Sequence, residues 1–260
     1  MDNSLIGKKT LGQHWLNNED SLNQIIAAIE INDSDIVLEI GPGLGSLTSK
    51  LVKLAKKVVA VELDPEASKR LLWNVPAPNL EIINANILDY DLGQLPSDYK
   101  VVANIPYYLT AKLLRRLSES ANPFLCAAIL VQKEVAQRVA ASPGKMSLLS
   151  VSVQYYSQTK LGGIITADKF SPPPKIDSQV IILKRHSKPL YPELDSKQFF
   201  KVVKAGFSQR RKTLLNSLSG GLAMERDEVQ TRIKKAGLVP SARPQTLSLD
   251  EWRKLATTFI

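Results

Sequence analysis

A short polar and aromatic stretch, NIPYY at residues 104–108, carries the residue types needed to hold a planar amine. The side-chain oxygen of Asn104 and the carbonyl of Ile105 can accept the two hydrogens of an exocyclic amine, while Tyr107 offers a stacking face. Pro106 restricts the residue before it and so fixes that carbonyl. Such acceptors aim the nitrogen lone pair at an electrophilic methyl group, which is orientation rather than acid–base catalysis. On its own, the stretch is equally compatible with a turn that carries a core tyrosine.

Three glycines and one glutamate predict where a cofactor would bind. Gly41, Gly43 and Gly45 follow an apolar run and precede a helical pattern, so a ligand can approach a helix N-terminus there. Their G-x-G-x-G spacing differs from the dinucleotide pattern G-x-G-x-x-G, which disfavours a pyrophosphate cradle. Glu62 ends the next strand 21 residues after Gly41, where a carboxylate reaches a ribose diol in doubly wound folds. Together these residues indicate an adenosine-containing cofactor.

The elements that must position these residues alternate between strands and helices. Apolar β-branched runs predict strands, and periodic apolar residues predict helices. We expect strands at 35–40, 57–63, 80–83, 99–103 and 124–131, and helices at 19–30, 47–54, 66–73, 109–117 and 133–141. Two later strands, at 149–157 and 178–184, have no helix between them and predict an antiparallel edge. The predicted fold class is α/β, a doubly wound, mostly parallel Rossmann-like sheet.

The character of the chain changes at residue 186. The segment HSKPLYPEL, residues 186–194, has linker composition, and the apolar spacing after it predicts a small all-α domain. Residues 186–260 hold 14 Lys and Arg against 7 Asp and Glu, whereas the first 185 residues hold 20 against 18. Segregated positive charge is typical of a polyanion-binding segment, the alternative being a solvated helix face. We therefore predict two domains, 1–185 and a basic domain over 186–260 for which nucleic acid is a candidate partner.

Five basic residues of this second domain are its predicted contacts with the phosphates of nucleic acid. Arg210, Arg211 and Lys212 stand side by side at the end of a helical pattern. Consecutive helical positions point about 100° apart, so the three cannot all face one row of phosphates, and we expect two of them to contact the backbone. Lys201 and Lys204 precede them by one to two helical turns and add to the same charge.

Composition excludes several classes of protein. Hydrophobic residues make up 44% and charged residues 23%, with no biased tract, so the chain is neither fibrous nor disordered. The longest apolar run, 124–131, is far shorter than a membrane span, and residues 1–20 lack the apolar core of a signal peptide, so we expect a cytoplasmic protein with no membrane contact. One cysteine, Cys126, and two histidines, His14 and His186, cannot assemble a zinc site, so we expect no metal.

Eight motifs span nearly the whole chain. They are LGQHWL (11–16), LEIGPGLGSLT (38–48), VELD (61–64), NIPYY (104–108), VQKEVAQRV (131–139), LSVSVQYY (149–156), FSPPPKIDS (170–178) and FSQRRKTLLNSL (207–218). On these motifs the chain resembles the ribosomal RNA adenine N6-dimethyltransferase family, most closely its KsgA-type branch acting on small-subunit rRNA. The glycine motif is shared by many methyltransferases, but NIPYY followed by FSPPPKIDS and FSQRRK is highly specific.

The resemblance implies a Rossmann-like methyltransferase fold, S-adenosyl-L-methionine as cofactor and a role for each matched position. The three glycines would lie under the methionine part, Glu62 would bind the ribose, and Asn104, Ile105, Pro106 and Tyr107 would form the catalytic amine pocket. Phe170 would hold the flipped adenine from the side opposite Tyr107, since chemistry on a base requires that it leave its stack. The other implied cofactor contacts are Gln13, His14, Leu16, Leu63, Asn86, Ile87 and Asn104 itself.

Three positions depart from the family pattern. Trp15 replaces a smaller aromatic residue, which we expect to be a conservative change. His14 stands where asparagine is common, and Asn86 where an aspartate usually accepts from the adenine amine. An amide oxygen still accepts, but without charge assistance, so we expect weaker cofactor binding.

The resemblance implies methylation of two adjacent adenosines near the 3′ end of small-subunit (16S) rRNA. The enzyme would act as a monomer on the small-subunit precursor during ribosome biogenesis. Three alternatives stay open: a large-subunit rRNA enzyme of the resistance type, a non-catalytic RNA-binding assembly or transcription factor, and a nicotinamide dehydrogenase.

Overall fold

The computed structural model describes residues 14–188, 190–209 and 211–259. The chain forms two compact units. The first runs to Ala136 and resumes over Gln158–Arg185, and the second contains Gln137–Ser157 and continues from His186. The predicted division at residue 186 is one of these boundaries. Residues 137–157, which the sequence assigned to the first domain, belong instead to the second unit.

The first unit is built on a seven-stranded sheet. Numbered in chain order, its strands lie side by side as β4 (Leu80–Asn84), β3 (Lys57–Glu62), β2 (Ile36–Ile40), β5 (Lys100–Asn104), β6 (Cys126–Gln132), β9 (Ser178–Arg185) and β7 (Ser157–Ile165). The first five pair in parallel, and β9 runs antiparallel to β6. The predicted mostly parallel sheet with an antiparallel edge is confirmed.

Helices and a small second sheet complete the first unit. The helices are α1 (Glu19–Ala27), α2 (Thr48–Leu51), α3 (Pro65–Asn74), α4 (Thr110–Ser118) and α5 (Lys133–Val139), the last continuing into the second unit. The small sheet pairs β1 (Trp15–Leu16) antiparallel with β8 (Phe170–Ser171). Because neighbouring parallel strands end at one edge of a sheet, Ile40, Glu62 and Asn104 come together at the end of β2, β3 and β5, where ligands bind in such folds.

The second unit is helical, as predicted. Its helices are α6 (Leu148–Gln154), α7 (Ser196–Gly206), α8 (Leu214–Leu222), α9 (Arg226–Lys235) and α10 (Leu249–Thr257). Trp252 and Phe199 are fully buried in its apolar core, and the Tyr155 ring lies 4.7 Å from the Phe199 ring. This contact places the end of the segment 137–157 in the helical unit. Over the described residues, no helix has the length and apolarity needed to cross a bilayer.

The predicted strand at 149–157 is wrong, because α6 occupies most of it and β7 begins only at Ser157. A capping box starts α6: the Ser147 hydroxyl accepts from the Ser150 N–H, and the Ser150 hydroxyl accepts from the Ser147 N–H. The run LLSVSVQ is short and apolar, and periodicity does not separate a buried strand from a buried helix at that length.

Candidate active site

The loop between β2 and α2 requires glycine at two positions. Gly43 has a φ of +58°, and a Cβ atom there would lie 2.1 Å from Cζ3 of Trp15. Gly45 has a φ of +96°, and its Cβ would lie 2.7 Å from the side chain of Val75 and 2.8 Å from that of Leu71. Left-handed backbone and close packing both disfavour any larger residue. The Trp15 ring therefore lies directly against the glycine loop, and Gly45 packs on the end of α3.

Glu62 connects this loop to the end of β3. Glu62 is 6% exposed, and its Oε2 accepts from the Gly43 N–H at 3.1 Å while its Oε1 accepts from the Asp64 N–H at 2.9 Å. Burial raises the pKa of the Glu62 carboxyl, and these backbone donors oppose that shift. Each carboxylate oxygen has a further lone pair, so Glu62 can still accept from the hydroxyls of a ligand.

A second carboxyl group, Glu39 of β2, lines the same cavity and was missed by the sequence reasoning. It is 1% exposed, and its Oε2 has no hydrogen-bond partner among the described residues. Burial raises the pKa of Glu39 to about 8, and the nearby charge of Glu62 acts in the same direction. A single carboxylate inside the apolar strand IVLEI is the signal that could have identified it.

The amine pocket predicted from NIPYY begins where β5 ends. Among the residues that the structure describes, none hydrogen-bonds the side-chain amide of Asn104, which lines the cavity and is partly buried. The Tyr107 hydroxyl and the Ser178 hydroxyl lie 2.8 Å apart, which holds the Tyr107 ring to β9. Burial raises the pKa of Tyr107, so its phenol stays neutral at physiological pH. An unsatisfied amide beside a fixed aromatic ring is suited to bind a planar group with its own N–H donors.

The small sheet of β1 and β8 brings further aromatic residues to this cavity. Phe170 pairs with Leu16 across the sheet and is 5% exposed. His14 Nδ1 lies 2.7 Å from the Pro172 carbonyl oxygen, and its ring stacks on Tyr107 at 6.0 Å. Because a carbonyl can only accept, His14 donates through Nδ1, and only Nε2 is free to meet a ligand.

Asn86 is engaged within its own loop. Its Oδ1 accepts from the Leu88 N–H at 3.1 Å, and its Nδ2 donates to the Asp89 carboxylate at 2.7 Å. The oxygen keeps one lone pair for a ligand, which is less than the two of an unengaged amide. Nearby on the cavity lining, Ile87 is 5% exposed and Leu63 is 53% exposed.

One cavity in the first unit brings together most of the predicted site residues. They are His14, Leu16, Gly41, Gly43, Glu62, Leu63, Asn86, Ile87, Asn104, Ile105, Pro106, Tyr107 and Phe170. Gly45 does not line it, because it packs against α3, and Gln13 lies outside the described residues. Trp15, Glu39 and Tyr108 also line the cavity, and the sequence reasoning gave these three no ligand contact.

The predicted RNA contacts lie in the second unit. Lys201 and Lys204 are exposed on α7, and Arg211 and Lys212 are exposed after it, whereas Arg210 lies outside the described residues. The expectation of helical geometry is wrong for Arg211 and Lys212, because α7 ends at Gly206 and α8 begins only at Leu214. Within the described parts of the chain, none of the four forms an ion pair, so their charge is available to a partner.

A family model described as ribosomal RNA adenine dimethylase matches residues 5–257 of the chain. The chain belongs to this family. It is therefore an rRNA adenine dimethyltransferase, and the enzyme class predicted from the motifs is confirmed. Family membership also rules out the nicotinamide dehydrogenase alternative.

Relatives of this dimethyltransferase cover nearly its full length. Ribosomal RNA small subunit methyltransferase A of Dehalococcoides mccartyi (strain 195) is 40% identical, over 98% of this chain and 89% of the relative. The protein of the same name from Clostridium botulinum is 39% identical, over 95% of this chain and 92% of the relative. Among solved structures, a Plasmodium falciparum dimethyladenosine transferase matches with a TM-score of 0.77 and 27% identity, covering 93% of this chain and 96% of that one. The 23S rRNA methyltransferase ErmE matches with a TM-score of 0.75 and 25% identity, covering 94% and 98%.

Proposed function

We propose that this dimethyltransferase moves methyl groups from S-adenosyl-L-methionine to the N6 amines of two adjacent adenosines near the 3′ end of 16S rRNA. It would act in the cytoplasm as a monomer, on the small-subunit precursor, during ribosome biogenesis. The observation that carries the proposal is the Asn104 amide, which none of the described residues hydrogen-bonds and which lines one cavity with Tyr107, Phe170 and the glycine loop. The small-subunit assignment is supported by the names of the relatives and by FSPPPKIDS and VQKEVAQRV in this chain.

The polar groups of the cavity fit this cofactor. Glu62 has lone pairs left for the two ribose hydroxyls. The Glu39 Oε2, without a hydrogen-bond partner among the described residues, belongs to a carboxyl group that can donate when protonated and accept when ionised. Gly41 and Gly43 present backbone without side chains to the methionine part. The adenine ring would be held by Leu63, Asn86 and Ile87. When bound, S-adenosylmethionine supplies a methyl group on a positively charged sulfur.

The amine pocket would orient the adenine N6. In the first transfer, Asn104 Oδ1 and the Ile105 carbonyl each accept one N6 hydrogen. In the second transfer, one of the two acceptors holds the single hydrogen that remains. In both transfers the nitrogen lone pair is directed away from the acceptors. Tyr107, fixed by Ser178, stacks on one face of the base, and Phe170 covers the other. Positioning of this kind removes the orientational part of the barrier. After transfer, the nitrogen bears four bonds and a positive charge, so water suffices to accept its proton.

The exposed cations of the second unit would bind the rRNA backbone. Lys201, Lys204, Arg211 and Lys212 are exposed, and Arg210 belongs to the same basic run. Contacts to phosphates position a substrate without reading its sequence. Selection of the two adenosines would therefore fall to the amine pocket and to the shape of the RNA around it.

Methyl incorporation into small-subunit particles that lack these methyl groups tests the proposal. Labelled S-adenosylmethionine is supplied, and the modified adenosines are mapped along the rRNA. The expected result is dimethylation of two adjacent adenosines near the 3′ end, with none when Asn104→Ala is used. Modification of large-subunit rRNA instead would assign the chain to the resistance-type branch. No incorporation by the folded wild-type protein into either subunit would favour a non-catalytic RNA-binding role.

A further inference from the structure

Tyr108 is an exposed aromatic residue that lines the cavity. Its side chain is 67% exposed, yet it lines the same cavity as Asn104, Tyr107 and Phe170. Within the described part of the chain, its hydroxyl makes no hydrogen bond and its ring contacts no other ring. Tyr107, in contrast, is tied to Ser178. An exposed ring beside a base-binding pocket is not explained by packing in the core.

Lys112 follows Tyr108 by one helical turn. The short turn at Tyr107–Leu109 leads directly into α4, so positions 108 and 112 lie on one face of a continuous helical segment. Lys112 is exposed and forms no ion pair within the described residues. The other two cations of α4 are engaged, Arg115 with Glu119 and Arg116 with the Tyr90 carbonyl. Of the three cations of α4, the one next to Tyr108 is thus the one that pairs with none of the described residues.

Adjacent target adenosines place a particular demand on the enzyme. When one base is flipped into the pocket, its neighbour loses a stacking partner and exposes a π face. An exposed aromatic side chain can replace that partner, and such stacking tolerates any base. Methyl groups on the neighbour's N6 leave its π face intact. A ring at the cavity mouth can therefore hold the neighbour both before and after that nucleotide is itself modified.

We propose that Tyr108 and Lys112 form a subsite for the nucleotide next to the target adenosine. Tyr108 stacks on the neighbouring base, and Lys112 binds its phosphate. The inference rests on the proposed function, because it takes the Asn104 pocket as the place where the target adenine sits. This helical face would keep two neighbouring adenosines at one catalytic pocket.

A double-mutant cycle between protein and RNA tests the Tyr108 contact. Small-subunit particles are reconstituted with rRNA in which the nucleotide on one side of the target, and then on the other, is abasic. With intact rRNA, Tyr108→Ala raises KM for particles about tenfold or more, while Tyr108→Phe behaves as wild type. On one of the two sides, the abasic neighbour raises the KM of the wild-type enzyme by a similar factor. On that side it does not raise the KM of Tyr108→Ala any further. Affinity for S-adenosylmethionine is unchanged in both variants.

Trp73 provides the matched control. It is an exposed aromatic residue of α3 that does not line the cavity, so Trp73→Ala leaves KM unchanged. If Tyr108→Ala and the abasic nucleotide raise KM by independent factors on whichever side of the target the abasic nucleotide lies, the subsite does not exist. Loss of cofactor affinity in Tyr108→Ala would equally overturn it, by placing Tyr108 in the cofactor site. The wild-type enzyme on intact particles tests the proposed function separately, since its failure to methylate them would end both proposals.

Salt dependence tests the Lys112 contact. Lys112→Gln makes the plot of log affinity against log salt shallower by about 0.7–0.9 of a unit, as expected for one lost phosphate contact. Lys69→Gln serves as the control, because Lys69 is exposed but paired with Glu66. An equal slope for wild type and Lys112→Gln would remove Lys112 from the subsite.

Discussion

The carboxylate of Glu62 and the backbone N–H of Gly43, 3.1 Å apart, join two parts of the site that are separated by 19 residues in the chain. The same carboxylate accepts from the Asp64 N–H, so its orientation is set before any ligand binds. A preoriented acceptor binds with a smaller entropy cost than a mobile one. The glycine loop and the end of β3 therefore form one preorganised surface.

Glu62→Ala should lower the affinity for S-adenosylmethionine ten- to a hundredfold. The lost charge-assisted hydrogen bond to the ribose is worth about 1.5–3 kcal/mol, roughly that range of affinity. Isothermal titration calorimetry measures the effect, and binding to small-subunit particles should stay unchanged. Glu66→Ala, which removes an exposed carboxylate of α3, is the control. Unaltered cofactor binding in Glu62→Ala would place the ribose elsewhere.

Asn104→Ala should abolish methyl transfer while leaving cofactor affinity nearly unchanged. Asn104 aims the amine and only borders the donor, and the loss of one aligned acceptor costs on the order of a hundredfold in rate or more. Single-turnover methylation gives the rate, and calorimetry gives the affinity. Tyr107→Phe keeps the ring and loses only the bond to Ser178, so its rate should fall far less. Near-normal turnover by Asn104→Ala would refute the amine pocket.

The triple variant Arg210→Gln, Arg211→Gln, Lys212→Gln should methylate particles poorly and bind S-adenosylmethionine normally. Every described residue that lines the cavity belongs to the first unit, so the substitutions leave the cofactor site unchanged. The salt slope of particle binding should fall by about one unit for each lost phosphate contact. A variant with three other exposed cations of the second unit, Lys234, Lys235 and Arg243, changed to Gln gives the charge-matched comparison. If the two variants share one slope, the 210–212 run is only a solvated surface.

Glu39 should make the stability of the free enzyme fall as pH rises. Its pKa is about 8 in the folded protein and 4.5 when unperturbed, so between these values the folded state holds a proton that the unfolded state has lost. The free energy of unfolding then decreases with rising pH, by at most about 1.4 kcal/mol per pH unit from this group. Urea unfolding at pH 5, 6.5 and 8 should show a steeper decline for wild type than for Glu39→Gln. Parallel curves would contradict the raised pKa.

Much of the site could be predicted because a parallel sheet gathers distant residues at one edge. For that reason, three parts of the chain meet at one edge of the sheet: the glycines after β2, Glu62 at the end of β3 and Asn104 at the end of β5. The α6 helix could not be predicted, since Ser147 starts it and burial against Phe199 stabilises its end, and neither is a periodic signal. The Trp15 contact with Gly43 depends on the pairing of β1 with β8. No local sequence pattern predicts that pairing.

The His14 contact with Pro172 joins positions 158 residues apart, and the pairing of β1 with β8 is equally non-local. Contacts of such high sequence separation require closure of a long loop, which is entropically costly and slow. During synthesis, the glycine loop and Asn104 leave the ribosome well before β8 has been made. The aromatic wall formed by Phe170 can be added only after that strand has been synthesised. Competence for base capture is therefore acquired late in synthesis, after the elements that bind the cofactor.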